Sequence, residues 1–514
     1  MSYLSLLLPI TVLCLTSSTM GERVLMLTTR NMDHLIQFHG LTTGLEHLGH
    51  NVTIVADGQN KDVRMLFRGM NASFLYPNHS TDWMPDLDYL YWDENYEATF
   101  VEKYLKVENT EECMKVIYDE NLFTNISTGN FSLAVVDSSM FCYYLIPYKL
   151  GIPYISLGTS VYPYLMRMHP LLAVEPCLLK DDSDSFISRI YRLVNGIYSE
   201  ITPKLLLDES QFSHAVPDNP FYSLREVATN SALWFVIRDP VLDCPLPTMP
   251  NVVQIGSLTS FSSTSLPADV VRFIQSADDG VILVWFSSIL SNLTTNIQNK
   301  FTQVFHRSSQ KFLWIVPRGQ MTMPSNVRVL YHVTGSTALS SCDCKLAISD
   351  CHTAAVSEAI RHAVPLLCLP VLAEHRYNAY RVITKGIGLH ADIRKLTVTA
   401  LTKRINKLMT SSSFREEVSR LSSIQRSLPR SITQAAFWAD HVIRYGSDHL
   451  TTSAVDQSLY KYLMVDIFLF ICASVIVVYY LCKGALRLMR KSGPMKRFSR
   501  QIVKPIKPIK QHKH

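Results

Sequence analysis

The sequence predicts an α/β protein of two Rossmann-like domains facing across a cleft, followed by one C-terminal transmembrane helix. Three observations predict it. Residues 23–55 read as strand, loop, helix and strand at the pitch of a βαβ unit. A second α/β series begins beyond a stretch rich in Pro, Ser and Thr, "DCPLPTMPNVVQIGSLTSFSSTSLPAD". An apolar run at residues 463–482 stands directly before a basic tail.

In chain order, residues 1–20 contain an apolar run followed by Ser17 and Ser18. That is the length of a signal-peptide core and too short for a comfortable membrane span. A buried first helix is the alternative. Residues 23–28 form an apolar strand, and then Leu35, Phe38, Leu41, Leu45 and Leu48 recur at helical spacing up to Gly49, a residue suited to stop a helix. Residues 52–55 give the next strand. Parallel strands joined this way leave a ligand crevice at their carboxyl ends. Further strands are read at 131–136, ending at Asp137, and at 154–156. Residues 21–245 are therefore expected to form an N-terminal domain, and 246–268 a linker with one strand inside it, at 252–255. Residues 269–445 form the second domain, with strands at 281–285, 311–316, 346–349 and 366–369. A pre-membrane segment (446–462), the transmembrane helix (463–482) and the tail (483–514) complete the chain.

At 514 residues and 47% apolar composition the chain is too long for one ordinary core. Its net charge of +6 is misleading, because residues 483–514 hold 11 Lys and Arg and no acid, leaving 38 basic against 43 acidic residues elsewhere. The body is mildly acidic, which argues against nucleic acid as a partner. Lys483, Arg487, Arg490 and Lys491 follow the apolar run, so the tail is expected in the cytosol and the body in the lumen or outside the cell. Sequons at Asn71, Asn78, Asn125, Asn130 and Asn292 are glycosylation candidates on that side. Eight cysteines lie between the two hydrophobic segments, free to pair in an oxidising lumen, and their spacing does not identify partners. Cys342-x-Cys344 with Cys351 and His352 fits no common zinc pattern, so no metal site is expected.

Two constellations carry chemistry. His34 follows the first strand at the crevice mouth, and Asp137 ends another strand of the same domain. A His oriented by a carboxylate is a general base for a hydroxyl proton; a surface His and a strand-end cap are the plainer alternative. The second is "LAISDCHTAAVSEAIRHAVPLLCLPVLAEHRYNAYRV". There a strand runs into a helix that starts within 350–353, a natural phosphate site. Glu358 lies further along that helix, placed for a ribose hydroxyl, and Glu374 and His375 end a later loop, placed for sugar hydroxyls. An acid near a helix start is also an ordinary cap.

At these residues the chain resembles the UDP-glucuronosyltransferases, membrane-bound glycosyltransferases of the two-Rossmann GT-B fold. "DHL…LGHNVTIV" is similar to the family's catalytic-His segment and "FSLAVVDSS" to its catalytic-Asp strand. "GVILVWFSSILSNLTT" is similar to its donor loop, "AVPLLCLPVLAEHRYNA" to the end of its signature, and "AAFWADHVIRY…HL" precedes the membrane helix as in the family. The resemblance implies that His34 deprotonates the acceptor hydroxyl, Asp137 stabilises the protonated His34, and UDP is displaced with inversion. It implies a UDP-sugar co-substrate, glucuronic acid or another hexose, and no metal or other cofactor. Ser288, His352 and Thr353 would lie at the diphosphate, His332 would stack on uridine, Glu358 would bind the ribose, and Glu374 and His375 the sugar. Implied partners are a small lipophilic acceptor, the lipid bilayer, and homo- or hetero-oligomers with relatives. The implied location is the endoplasmic reticulum membrane, single-pass type I.

The chain departs from the family on the donor side. Asp350, Cys351 and His352 replace a His-Gly-Gly, Ser287 a glycine, His332 the stacking Trp, Gly335 a Gln, and His375 a Gln. An unpaired carboxylate about 4 Å from a phosphate charge would repel it by roughly 4 kcal/mol at an effective dielectric near 20. His352, if protonated, would offset part of that. The alternative function is therefore a catalytically weak or inactive member serving as a membrane-anchored ligand-binding or partner protein.

Overall fold

The structure is a computed structural model. It describes residues 21–29, 32–56, 61–76, 115–159, 224–243, 247–259, 266–287, 293–316, 323–331, 333–452, 457–462 and 464–491, with the single positions 166, 187, 190, 194 and 245. The expected signal peptide (1–20), Ser288, His332, Asn78, Asn292 and the tail beyond 491 lie outside the described residues. The chain divides after Thr452 into two compact units.

The first unit contains two parallel sheets. The first half runs β1 (Arg23–Leu27), α1 (Met32–His47), β2 (Asn51–Val55), α2 (Lys61–Leu66), β3 (Ser73–Leu75), α3 (Glu120–Ser127) and β4 (Leu133–Asp137). A 3-10 turn (Phe141–Tyr144) leads into α4 (Leu145–Leu150), then β5 (Tyr154–Gly158), α5 (Leu224–Thr229), β6 (Leu233–Ile237) and β7 (Val252–Ile255). The second half runs α6 (Ala268–Gln275), β8 (Val281–Trp285), α7 (Thr295–His306), β9 (Lys311–Ile315), β10 (Val327–Leu330), α8 (Gly335–Ser341), β11 (Cys344–Ser349) and α9 (Thr353–Arg361). It closes with β12 (Leu366–Cys368), α10 (Ala373–Thr384), β13 (Gly388–His390), α11 (Val398–Thr410), α12 (Ser412–Ser427) and α13 (Ser431–Tyr445).

The sheet orders are β3-β2-β1-β4-β5-β6-β7 and β10-β9-β8-β11-β12-β13. In each, the order reverses once, between β1 and β4 and between β8 and β11, and a crevice at the strands' carboxyl ends opens at such a reversal. Asp137 ends β4 and Asp350 follows β11, so both candidate sites stand at switch points.

The central strands are apolar along their whole length because helices cover both faces of a parallel sheet. In β8, Val281, Leu283 and Trp285 enter one core while Ile282 and Val284 enter the other. In α1, Leu35, Phe38, Leu41 and Leu45 are buried as the helical spacing predicts. Leu48, read as part of that stripe, is exposed, because the helix has already ended at His47. Gly49 adopts φ +89°, and the paired bonds Gly49 N–H to Glu46 O (2.9 Å) and His50 N–H to Leu45 O (3.0 Å) close the helix there.

The strand expected inside the linker, β7, is the edge strand of the first sheet, paired in parallel with β6. Likewise α13, read as the end of the second domain, packs on the first: Ala435, Ala439 and Val442 share a core with Leu35, Phe38 and Leu45. His50 Nε2 lies 3.1 Å from Asp440 Oδ1 across that contact.

The cysteines resolve in part. Cys342 pairs with Cys344 and Cys351 with Cys368. Cys142 is also disulfide-bonded. Three of the sequon asparagines, Asn71, Asn125 and Asn130, are exposed.

The second unit contains α14 (Leu459–Tyr462) and α15 (Val465–Lys491). Among the described residues, the segment Val465–Arg490 of α15 is the one helix long and apolar enough to cross a membrane. The span read as 463–482 begins at an undescribed Leu463, and the helix continues beyond it through Lys483 and Arg487.

Candidate active site

The first half supplies a carboxylate and imidazole pair. α1 begins immediately after the β1 loop, which puts His34 in its first turn. His34 Nδ1 lies 2.7 Å from Asp137 Oδ2. Asp137 is fully buried, as the last residue of a central strand must be, and its oxygens are saturated. Oδ2 also accepts from Thr29 Oγ1 at 3.1 Å, and Oδ1 accepts from the Ser139 N–H at 3.0 Å and the Ser139 hydroxyl at 2.7 Å.

Burial alone would push the His34 imidazole down, but the charge and hydrogen bond of Asp137 outweigh it and hold the ring up at about 9. Burial works against ionised Asp137 too, and His34 and Ser139 reverse that, keeping the carboxyl below its usual range. With Nδ1 committed to Asp137, Nε2 is the nitrogen left to take a proton from a bound hydroxyl.

The second half supplies a corner of buried charged groups. The turn 350–352 joins β11 to α9. Cys351 sits there at φ +67°, a conformation that favours glycine, and is bonded to Cys368 at the end of β12. His352 is the residue ahead of α9 and makes no side-chain capping bond. Its ring meets the Trp285 ring edge-on at 4.8 Å between centroids. Trp285 also explains Gly335, since a Cβ there would fall 2.1 Å from the indole.

The bare negative charge expected at Asp350 is not bare. Its Oδ1 lies 2.7 Å from His352 Nδ1 and accepts from Ser349 Oγ at 3.2 Å. Its Oδ2 accepts from the Ser287 N–H at 3.2 Å and from the Ser287 hydroxyl, and lies 3.6 Å from His375 Nδ1. Burial disfavours the ionised form, but His375, His352 and Ser287 overcome it and hold the carboxyl far below its usual range. The carboxylate is thus paired within the fold, with the His352 ring at 2.7 Å and the His375 ring at 3.6 Å.

Glu358 is buried on α9 and engaged by hydroxyls: Thr259 donates to Oε1 and Ser336 to Oε2 at 2.9 Å. Thr353 donates to Glu374 Oε1 at 2.6 Å, tying the starts of α9 and α10 together. Asn378 on α10 donates to the Cys351 carbonyl at 2.8 Å, and Arg381 binds both Asn378 and Asp243, which follows β6.

The two corners face one another. Glu374 and Asp33 act electrostatically on His34, and Asp33 is in reach of His352, Asp350, His375 and Glu374. His34, Asp137, His352, Thr353, Glu374 and His375 therefore line one region, whereas Glu358 lies further along α9. Sequence reasoning missed Thr29, Ser139, Asp33 and the bonding role of Asp350. Only Ser139 left a signal, the Asp-x-Ser of an Asx turn.

A family model described as UDP-glucoronosyl and UDP-glucosyl transferase matches residues 23–496. A UDP-glucuronosyltransferase 3A1 of Xenopus laevis is 25% identical over 91% of this chain and 93% of its own. A 2-hydroxyacylsphingosine 1-beta-galactosyltransferase of Homo sapiens is 26% identical over 72% of this chain and 70% of its own. Among solved structures, the spinosyn forosaminyltransferase SpnP superposes with a TM-score of 0.59 at 14% identity, covering 82% of this chain and all of that one. The glycosyltransferase VinC, in complex with DTDP, gives 0.56 at 15% identity over the same shares. These structural likenesses show the GT-B arrangement of two facing parallel-sheet domains.

Proposed function

The chain belongs to the UDP-glucuronosyl and UDP-glucosyl transferase family and is a glycosyltransferase, and from that premise we propose that it transfers glucuronic acid or another hexose from a UDP-sugar to a hydroxyl of a small lipophilic acceptor, with inversion. The observation that carries the reading is the 2.7 Å pair of His34 Nδ1 and Asp137 Oδ2 at the switch point of the first sheet, opposite the start of α9.

In the proposed step the acceptor hydroxyl gives its proton to His34 Nε2 while Asp137 holds Nδ1–H and stabilises the imidazolium. The oxygen attacks the anomeric carbon on the face opposite the diphosphate. The new bond to the sugar forms as the bond to the β-phosphate oxygen breaks, and UDP leaves with that electron pair. The step uses no metal ion. His352, Thr353 and Ser288 are assigned to the diphosphate, Glu358 to the ribose, His332 to the uracil, and Glu374 and His375 to the sugar. At Glu358 the hydroxyls of Thr259 and Ser336 would yield a place to those of ribose.

The relatives are named for glucuronosyl and galactosyl transfer, and the second for an acylsphingosine, so both sugars and a lipid acceptor belong in the test. In this reading the body lies in the lumen and α15 in the membrane, an apolar phase into which lipophilic acceptors partition. The test is incubation of the full chain in membranes with UDP-glucuronate, UDP-glucose or UDP-galactose and a panel of phenols, sterols and ceramides. A β-glycoside, identified by NMR, is the expected product. An α-glycoside would contradict inversion, and no product with any pair would favour the ligand-binding alternative. That alternative has one observation on its side, the engagement of both Glu358 oxygens by protein hydroxyls.

A further inference from the structure

The turn ahead of α9 holds an imidazole in an unusual state of preparation. His352 is only 1% exposed, and its Nδ1 is committed to Asp350 Oδ1 at 2.7 Å, while Nε2 has no partner among the described residues. α9, nine residues long, begins at the next position, so its first-turn N–H groups and its partial positive charge stand at the same corner. Asp350 is fixed by more than this ring: Ser287 donates to Oδ2 through its N–H at 3.2 Å and through its hydroxyl, and Ser349 donates to Oδ1 at 3.2 Å.

We propose that Asp350 is a positioning residue for the donor diphosphate: it holds His352 by Nδ1, keeps the ring cationic, and leaves Nε2–H to bond a phosphate oxygen. The inference rests on the donor reading above and reverses the sign of Asp350 within it, from a group that repels the donor to one that prepares its binding. The arrangement has the geometry of the His34–Asp137 pair, also 2.7 Å, with the opposite use. There the ring must give up its charge to act as a base, and here it must keep it.

The groups that act on His352 are Asp350 just after β11, Asp33 from α1 and Glu374 from α10, with the Trp285 ring nearly perpendicular to it at 4.8 Å and His375 3.6 Å from Asp350 Oδ2. Burial pulls the imidazole down, and Asp350, Asp33 and Glu374 more than restore it, to about 9. Asp33 is itself pushed up by burial, so Asp350 is the firmer counter-charge.

The experiment is calorimetric binding of UDP-glucose to the detergent-solubilised full chain between pH 5.5 and 8.5. The diphosphate diester of this probe keeps its charge across that range. Wild type should bind with nearly constant affinity. Asp350→Asn should bind about tenfold or more weakly than wild type at pH 8, where the ring without its partner is neutral, and should recover towards wild-type affinity as pH falls to 5.5, where Asp33 and Glu374 still favour the charged ring. A merely structural role for Asp350 would weaken binding at both ends. His352→Gln should bind about tenfold more weakly at pH 5.5 and show no dependence on pH. Asp350→Asn binding unchanged or tighter at pH 8 overturns the inference and leaves the donor reading standing. So does His352→Gln binding like wild type. No binding by wild type at any pH overturns both.

Discussion

His34 and Asp137 are 103 residues apart in sequence, and each changes what the other can do. A base must be neutral to act, and Asp137 holds His34 charged up to about pH 9. The expected result is therefore a kcat/KM that climbs from pH 7 towards 9. In Asp137→Asn the inflection should move down towards the ordinary imidazole range, and the plateau should fall by about 10² to 10⁴, the worth of a positioned base with its partner. An inflection that stays in place would mean that Asp137 does not set it. The pair itself was legible in sequence, because a His after one strand and an Asp ending another share a crevice whenever the strands are parallel. Thr29, which also bonds Asp137, was not, since a hydroxyl beside a strand end is too common to single out, and Ser139 left only the Asp-x-Ser spacing of an Asx turn. Asp350 was legible as a charge but not as a paired one. Its partners come from elsewhere, Ser287 from the loop after β8 and His375 from the first turn of α10, and no spacing rule joins them.

At the scale of elements, the corner where β6, α9 and α10 meet is held by charge as well as by packing. Arg381 on α10 binds Asp243, both nearly buried, and passes through Asn378 to the Cys351 carbonyl of the turn ahead of α9. Asp239 in the same loop accepts from Gln425 at 2.6 Å and Ser357 at 3.2 Å. Arg381→Ala would leave a buried carboxylate short of its main partner, at about 3 kcal/mol. Arg238, 3.6 Å from Asp243, keeps the loss at the low end. Chemical denaturation should show that loss, and a variant as stable as wild type would mean the corner rests on packing alone. The elements read correctly from sequence are those with an unambiguous period or a long apolar run, such as α1 and β8. The strands left unread include β3, β10 and β13, all sheet edges of three or four residues. Too few residues alternate in them to set a phase.

For the molecule as a whole, the titratable pairs set a window of stability. His34 and His352 are raised from 6.5 to about 9, so their contribution is complete below pH 6.5 and is lost as pH rises through 9. Asp137 and Asp350 are lowered from 3.8, so theirs is present above that value and is lost as pH falls. Asp33 and Asp239, raised by burial, oppose stability once ionised. The melting temperature of the full chain should therefore decline from pH 6.5 to 9, and the decline should shrink in Asp137→Asn. A flat or rising profile would contradict the assignment. The two-sheet plan was legible because the chain repeats one βαβ logic on either side of a Pro- and Ser-rich stretch. The return of α13 to the first sheet was not, because an amphipathic helix announces that it packs but not against which sheet.

The rate of sugar transfer by His34→Ala, measured beside wild type with the same UDP-sugar and acceptor, tests the central claim most directly. Removal of the base should lower kcat by about a hundredfold or more while UDP-sugar binding is unchanged. Product formation at the wild-type rate would show that another group takes the proton.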